Sequence, residues 1–223
     1  MMSARVALVT GTARGIGAAV VNRLRQDGLR VLTPSRDEMD LLSTDSINAY
    51  LSHLIEPVDV LVNNAGINPL GALAEIRDSD LCDTIQVNLI APLRLIRGLA
   101  PGMIERHYGR IVNISSIWGT VSKPGRVSYT LSKAGLNGMT RSLAVELAPC
   151  NVLVNAVAPG FVNTELTRQN NTPQEIEKIQ QAIPARRLAE PAEVAEVVAF
   201  LCSDRNTYIV GQTLLVDGGF TCQ

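Results

Sequence analysis

The chain has 223 residues, of which 46% are hydrophobic and only 4% aromatic, and its 20 basic and 21 acidic residues leave a formal charge of −1. A nearly neutral chain lacks the basic surface that binds nucleic acid or an anionic membrane. No run approaches the ~20 apolar residues of a membrane span, and the first residues do not resemble a signal peptide. We therefore expect a cytoplasmic protein in which residues 1–223 form a single domain.

The first predicted elements are a buried strand, a glycine-rich turn and a helix. Residues 6–9 form an apolar run suited to a central parallel strand, and Gly11, Gly15 and Gly17 follow where the backbone must turn tightly. Apolar residues then recur at helical spacing from Ile16 onward. Because a helix that begins directly after a strand directs its N–H groups and positive dipole end at the crevice above the sheet, this segment predicts a pyrophosphate site.

The end of the second predicted strand, residues 31–33, indicates which dinucleotide is preferred. A site for the unphosphorylated form normally has an acidic side chain there to hold the ribose diol, whereas this chain has Ser35 followed by Arg36. Arg36, with Arg14 of the glycine-rich turn as a second cation, favours a 2′-phosphate and therefore NADP(H) over NAD(H). The alternative is that both arginines are ordinary surface charges, and the acidic residues 37 and 38 weaken the inference.

The rest of the chain alternates between strand-like runs and amphipathic helices. The further strand-like runs cover residues 58–63, 110–114, 152–157 and 213–216. Apolar stripes at helical spacing lie between them, and Pro191 begins the last helix. This alternation predicts an α/β fold: a single-domain, Rossmann-like doubly wound parallel sheet with helices on both faces and its ligand beyond the carboxyl ends of the strands.

Ser116, Tyr129 and Lys133 are candidates for acid–base chemistry. Tyr129 and Lys133 are four residues apart in a predicted helix, so they project from one face. A phenol with a pKa of ~10 needs a neighbouring positive charge to act near neutrality, and Lys133 can supply it. The alternative is a packed ring beside a solvated ammonium. Ser115 is the nearest rival to Ser116.

Five motifs together resemble the short-chain dehydrogenase/reductase family over essentially the whole chain. They are Thr10-Gly11 with Gly15 and Gly17, the NNAG element at 63–66 that follows the family's fourth strand, the tetrad Asn88, Ser116, Tyr129 and Lys133, Pro159-Gly160 with Thr164, and VDGG at 216–219. The segment IPARRLAEPAEVAEVVAFL is most similar to 3-oxoacyl-[acyl-carrier-protein] reductase-like members.

The resemblance implies hydride transfer between a nicotinamide and a carbonyl carbon. Ser116 would hydrogen-bond the carbonyl oxygen, and Tyr129 would donate a proton to it. Lys133 would hold the ribose hydroxyls and lower the tyrosine pKa. Asn88 would kink its helix and anchor a water that passes protons to Lys133, although a satisfied structural amide is a competing interpretation of this residue.

The implied cofactor contacts are Gly11, Arg14, Gly15, Ile16, Gly17, Ser35, Arg36, Asp40, Leu41, Asn63, Ala65, Gly66, Tyr129, Lys133, Pro159, Gly160, Val162 and Thr164. One departure from the family lies between Arg36 and Asp40, where only three residues stand in place of a further helix. We expect that helix, after the second strand, to be absent, so Asp40 and Leu41 reach the adenine by a shorter route. Alternatively, Asp40 caps the helix that begins near Thr44.

The substrate pocket is expected to be lined by Ser116, Trp118, Tyr129 and Phe161, with Val162 beside them. Residues 163–185 would form a movable cover. Four cations suit an acidic carrier protein or its phosphopantetheine, although scattered cations are usually solvated. These cations are Lys123, Arg126, Arg186 and Arg187.

We expect an NADPH-dependent carbonyl reductase for a 3-oxoacyl thioester or related ketone. An NAD(P)-dependent alcohol or sugar dehydrogenase is the alternative, followed by a non-catalytic dinucleotide sensor and a structural subunit that shares only the fold. The family also implies a homotetramer through helices at 91–105 and 128–147 and a last strand at 214–216. Apolar stripes suited to that pairing are Leu93, Leu95, Leu99 and Met103, and Leu136, Met139, Leu143 and Leu147.

The four cysteines do not form a metal-binding pattern, and only His53 and His107 could join them. We therefore expect no metal site, and we expect the cysteines to be buried free thiols. They are Cys82, Cys150, Cys202 and Cys222.

Overall fold

The computed structural model describes residues 4–223, and within them six parallel strands form one sheet. The strands are β1 (Val6–Val9), β2 (Arg30–Leu32), β3 (Val60–Asn63), β4 (Gly109–Ile114), β5 (Val152–Pro159) and β6 (Thr213–Val216). Their order across the sheet is β2-β1-β3-β4-β5-β6. The chain therefore reverses its direction of winding beside β1, and the crevice at this switch is where open α/β sheets bind ligands.

Eight α-helices connect these strands within residues 4–223. They are α1 (Gly15–Gln26), α2 (Thr44–His53), α3 (Asp78–Ile85), α4 (Ala91–Glu105), α5 (Val127–Leu147), α6 (Glu165–Gln169), α7 (Pro173–Ala182) and α8 (Pro191–Cys202). Helices α1 and α8 pack together on one face of the sheet, and α2, α4 and α5 cover the other. The doubly wound α/β arrangement predicted from the sequence is confirmed.

The protein has two hydrophobic cores, one on each face of the sheet, and successive residues of a strand contribute to them in turn. In β1, Leu8 joins the core beneath α2, α4 and α5, whereas its neighbours Ala7 and Val9 join the core beneath α1 and α8. Successive strand residues point to opposite faces, so a strand covered on both faces must be apolar throughout. Each fully buried Leu or Val side chain contributes roughly 1.5–3 kcal/mol to folding.

The segment that follows β2 lacks more than the one helix that the family pattern led us to expect to be absent. Residues 33–43 form no helix in the structure, and the NNAG element follows the third strand rather than the fourth. A strand is therefore missing together with the helix. As a consequence β2 is an edge strand, paired only with β1 in the described sheet, and the loop at 33–43 leads directly to α2.

The helical segment Asp78–Glu105 comprises α3, a π-helical turn at Gln86–Ile90, and α4. By length and composition alone, these 28 residues could cross a membrane, which the sequence analysis did not anticipate. The segment instead packs as a core helix, with Leu95, Ile96 and Met103 at most 1% exposed against the sheet.

Two sequence-based expectations about burial are wrong. The apolar stripes assigned to subunit pairing lie mostly in the core of the chain itself, since Leu95, Met103, Leu136 and Leu147 are at most 4% exposed. Their helices use these stripes to cover the sheet. The cysteines differ from one another, because Cys202 is buried, Cys150 is half-buried, and the remaining two, at 82 and 222, are exposed.

Candidate active site

A cleft of about 690 Å³ lies at the carboxyl ends of the strands, beside the switch in winding. Most of the predicted cofactor contacts stand in its wall. These are Gly11, Arg14, Gly15, Ile16, Gly17, Ser35, Arg36, Asp40, Leu41, Ala65, Gly66, Tyr129, Lys133, Pro159, Gly160, Val162 and Thr164. Ser116 lines the same cleft, so a single crevice contains both the phosphate-binding pattern and the acid–base candidates.

The turn between β1 and α1 depends on glycine at two positions, one for space and one for its backbone conformation. A Cβ on Gly17 would lie 2.1 Å from the Gly11 carbonyl oxygen, and Gly15 has φ of +59° with Thr164 against it. Among the described residues, no side chain caps α1, so the first N–H groups of that helix are available to a ligand. The turn therefore fits the phosphates of a dinucleotide.

The structure separates the two asparagines of the NNAG element. Asn63, which the sequence assigned to the cofactor, is 3% exposed and donates its amide to Asn113 Oδ1 at 2.8 Å within the sheet. Asn64 lines the cleft instead, and its Nδ2 donates to the Gly11 carbonyl at 2.8 Å. Asn64 thus fixes the glycine-rich turn, and its place one residue beyond the strand was the available sequence signal.

Tyr129 stands at the start of α5 with its ring partly buried. Burial raises the pKa of the Tyr129 phenol above its usual range, while the nearby Ser116 hydroxyl and the positive charge of Arg126 act to lower it. Ser116 accepts a hydrogen bond from Trp118 N at 3.2 Å, which leaves its hydroxyl proton to be donated to a carbonyl oxygen. Ser115 is also in the cleft wall, but its hydroxyl donates to the Lys133 carbonyl at 3.4 Å.

Lys133 differs from the solvated ammonium considered as the alternative, because it is 3% exposed. Its Nζ donates to the Ile114 carbonyl at the end of β4, at 2.7 Å. Burial lowers the pKa of Lys133 to about 8. The Lys133 Nζ lies 5.5 Å from the centre of the Tyr129 ring, and the expectation that its charge lowers the tyrosine pKa stays a prediction.

Asn88 lies in the π-helical turn, which interrupts the helix where the resemblance implied a kink. Its Oδ1 accepts from Ile67 N, and its Nδ2 donates to the Ile67 carbonyl, both at 2.9 Å. The same Nδ2 contacts the Ser132 hydroxyl at 3.1 Å. Asn88 thereby connects the loop after β3 to α5. Both polar atoms of its side-chain amide have hydrogen-bond partners, which is what a satisfied structural amide requires.

Carboxylates accompany both arginines at the predicted ribose end of the cleft. Arg14 pairs with Glu165, and Arg36 approaches Asp40 at 3.6 Å, with both guanidinium groups largely exposed. The Glu38 carboxylate accepts a hydrogen bond from Ser35 N at 2.8 Å, and this bond lowers the pKa of Glu38. Both arginines therefore already face carboxylates in this structure. A 2′-phosphate would have to compete with Glu165 for Arg14 and with Asp40 for Arg36.

The expectation that Asp40 caps α2 is wrong. Ser43 is the N-cap, and its hydroxyl accepts a hydrogen bond from Ser46 N at 3.2 Å. The Asp40 carboxylate instead accepts from Leu42 N at 3.1 Å and remains in the cleft wall. Asp40 therefore lines the cleft, and its contact with an adenine stays a prediction.

Trp118 and Phe161 stand beside the cleft rather than in its wall. Their ring centres are 5.9 Å apart at nearly a right angle, and Phe220 completes a three-ring cluster. The predicted cover contains α7, whose ten residues are all at least partly exposed, and α6, which was not foreseen. Glu165, Leu166 and Thr167 of α6 line the cleft.

The four cations assigned to a carrier protein do not form one patch. Arg186 bonds the Gln181 carbonyl, and Arg187 makes a two-point ion pair with Glu193. Lys123 and Arg126 lie instead against the Trp118 ring, with their charged atoms 5.6 and 5.8 Å from its centre.

Comparison with known proteins places this architecture among oxidoreductases. Residues 37–221 match the family model described as "Enoyl-(Acyl carrier protein) reductase". The 3-oxoacyl-[acyl-carrier-protein] reductase of Aquifex aeolicus is 39% identical, with 98% of each chain covered. That alignment spans 244 positions against the 223 residues of this chain, so the relative has residues that this chain lacks.

Two solved structures share the fold closely. A protein described as an NAD(P)-dependent gluconate 5-dehydrogenase from Beutenbergia cavernae, with NADP bound at low occupancy, is 33% identical, covers 100% of this chain and 98% of its own, and has a TM-score of 0.93. A 4-hydroxyisoleucine dehydrogenase complexed with NADH is 27% identical, with 98% and 99% covered and a TM-score of 0.93.

Proposed function

The chain belongs to the short-chain dehydrogenase/reductase family, and we propose that it is a cytoplasmic, NADPH-dependent reductase of a 3-oxoacyl thioester or related ketone. The observation that carries the proposal is the meeting of Ser116, Tyr129 and Lys133 in a cleft that the glycine-rich turn also lines. Relatives that match nearly the full chain are 3-oxoacyl-[acyl-carrier-protein] reductases, which supports the oxidoreductase class.

The chain's own residues suit this reaction. A bound NADPH would supply the hydride that reduces the carbonyl carbon. Ser116 donates its hydroxyl proton in a hydrogen bond to the carbonyl oxygen, and Tyr129 transfers its phenolic proton to that oxygen as negative charge develops there. An ordinary phenol is protonated near neutrality, so Tyr129 holds the proton that it would transfer. Lys133, buried beneath the ring, holds the ribose hydroxyls.

NADP(H) is proposed over NAD(H) because Ser35, rather than a carboxylate, follows β2 and because Arg14 and Arg36 both border the cleft. In this proposal the 2′-phosphate takes the place of Glu165 on Arg14 and of Asp40 on Arg36. Solved relatives hold either NADP or NADH, so the choice depends on these side chains.

A second candidate is oxidation in the opposite direction, as an NAD(P)-dependent dehydrogenase of a hydroxy acid or sugar. It is favoured by the solved neighbours described as gluconate and 4-hydroxyisoleucine dehydrogenases. The same residues serve this direction, with Tyr129 as the base.

NADPH absorbance with a panel of ketones, 3-oxoacyl thioesters and oxo acids tests the first candidate, and NADP⁺ reduction with sugars and hydroxy acids tests the second. Turnover with the first group alone supports the reductase. Dinucleotide binding without turnover of any substrate would favour a sensor.

A further inference from the structure

Arg126 is a nearly buried cation without a counter-charge. The residue is 6% exposed and immediately precedes α5. Within residues 4–223, its guanidinium makes neither an ion pair nor a side-chain hydrogen bond. Burial is the main cause that lowers the pKa of this group. A buried charge normally has a partner. The guanidinium nitrogens of Arg126 are not among the fully buried atoms that lack a partner, so an anion can approach them from the surface.

The surroundings of Arg126 increase the need for an anion. Its Cζ lies 5.8 Å from the centre of the Trp118 ring, and Lys123 Nζ lies 5.6 Å from the same ring. Burial lowers the pKa of Lys123, and the charge of Arg126 lowers it further, so the two cations repel each other. Glu175 acts on Lys123 in the opposite direction but forms no ion pair with it among the described residues.

Stacking on Trp118 does not account for Arg126. A cation over an aromatic face gains electrostatic energy, but the guanidinium has five N–H donors that a ring leaves unsatisfied. A carboxylate satisfies them in pairs, because its two oxygens match the planar fork of the guanidinium.

The position of Arg126 relative to Tyr129 suggests where that carboxylate belongs. The two residues are three apart at the start of α5, a spacing that brings side chains together at about 5–6 Å between Cβ atoms. The charge of Arg126 acts on the Tyr129 phenol, which is the proposed proton donor. An anion on Arg126 would therefore lie near the Tyr129 phenol and the carbonyl oxygen that this phenol is proposed to bind.

We propose that Arg126 binds a carboxylate of the substrate itself, so that the substrate is an oxo acid, or the corresponding hydroxy acid, with its carboxylate a few bonds from the reacting carbon. This inference rests on the proposed function, and within its carbonyl class it favours a free oxo acid, which is a related ketone, over the thioester. Hydride goes to the carbonyl carbon and the Tyr129 proton to its oxygen, and the carboxylate is unchanged. Lys123, whose Nζ lies 5.6 Å from the centre of the same Trp118 ring, adds positive charge beside Arg126.

Steady-state kinetics with one acyl skeleton tests the proposal: acetoacetate, methyl acetoacetate and the acetoacetyl thioester of N-acetylcysteamine, each with NADPH. We expect kcat/KM for acetoacetate to exceed the other two by about 10-fold or more. Arg126→Met should lower the acetoacetate value about 100-fold, mainly through KM, and lower the ester value far less, because the ester loses only the effect of the Arg126 charge on the Tyr129 phenol. Arg126→Lys should recover part of the loss. Equal use of acid and ester, or equal loss for both in Arg126→Met, overturns the proposal.

A binding measurement separates this proposal from the proposed function. Trp118 is the one tryptophan of the chain and lies against Arg126, so its fluorescence reports an anion there without turnover. We expect a saturable change with butanoate at constant ionic strength, no change with butanamide, and loss of the butanoate response in Arg126→Met. The matched control is Arg25→Met, an exposed arginine of α1. A missing butanoate response overturns the proposal, whereas a response without NADPH turnover of any substrate overturns only the reductase.

Discussion

The Lys133 ammonium lies 5.5 Å from the centre of the Tyr129 ring and donates to a main-chain carbonyl beneath it rather than to the phenol. The four-residue spacing thus brings the two side chains together, but burial dominates the electrostatics of both. It raises the pKa of the tyrosine and lowers that of the lysine to about 8. In the structure described here, the pair is therefore set for a protonated phenol.

Tyr129→Phe should reduce kcat by at least about 100-fold, because the ring remains while the proton donor is lost. NADPH affinity, measured by fluorescence titration, should change less than about 3-fold, since the ribose is assigned to Lys133. A variant with native turnover would exclude Tyr129 as the acid.

Lys133→Met should change how stability depends on pH. The folded-state pKa of Lys133 is about 8, below the usual lysine pKa of 10.5, so the unfolded chain binds more protons between these values. Stability should therefore rise with pH through this window, by about 3 kcal/mol in total for a fully buried group. Below pH 8 the full cost of the buried charge is present.

Urea unfolding of wild type and Lys133→Met between pH 7 and 10.5 measures that difference. In the variant, the free energy of unfolding should no longer rise between pH 8 and 10.5 because of residue 133, and it should exceed that of wild type at pH 7. Lys178→Met, on the exposed helix α7, is the control and should retain the native slope. Parallel curves for wild type and Lys133→Met would show that the lysine is not desolvated.

Cofactor charge variants test the NADP(H) proposal. Wild type should have the higher kcat/KM with NADPH, and Arg36→Asp should raise KM for NADPH about 10-fold or more while changing KM for NADH little. Glu38→Gln should increase the NADPH preference, because it removes a negative charge near the expected 2′-phosphate. The Glu38 carboxylate lies there since it accepts a hydrogen bond from Ser35 N. A wild-type preference for NADH would contradict the charge argument.

The strands and the main helices were predictable because their signals are local. The runs at 6–9 and 213–216 coincide with β1 and β6, and Pro191 begins α8 as the first-turn proline predicts. The missing strand was not predictable in the same way, because a short segment shows that residues are absent but not which elements they formed. The loop at 33–43 has no apolar run that would indicate its path.

The site was less predictable than the fold wherever a role depends on contacts between distant segments. The spacing of Tyr129 and Lys133 placed both in the cleft wall. It could not show that the Lys133 ammonium bonds a strand carbonyl, nor that Arg126 is buried, since both depend on packing around β4 and the following loop. Likewise, an apolar stripe on a helix does not reveal whether it covers the sheet or a partner subunit.

Subunit assembly provides the last prediction. The stripe residue Leu143 is only partly exposed and packs on the core, whereas Val145 of the same helix is 81% exposed. We propose a homotetramer in which the exposed apolar residues of α4 and α5, including Leu93, Leu131 and Val145, face a partner.

The two positions on α5 give a matched test. Val145→Asp should lower the molar mass in light scattering while leaving the far-ultraviolet circular dichroism native, because it adds a charge only to the exposed face. Leu143→Asp should destabilise the subunit itself by about 2 kcal/mol or more, seen in urea unfolding. A wild-type monomer that is fully active at micromolar concentration would refute the tetramer. If Val145→Asp stays tetrameric, α5 does not form the interface, since an unpaired carboxylate buried between subunits would oppose their association.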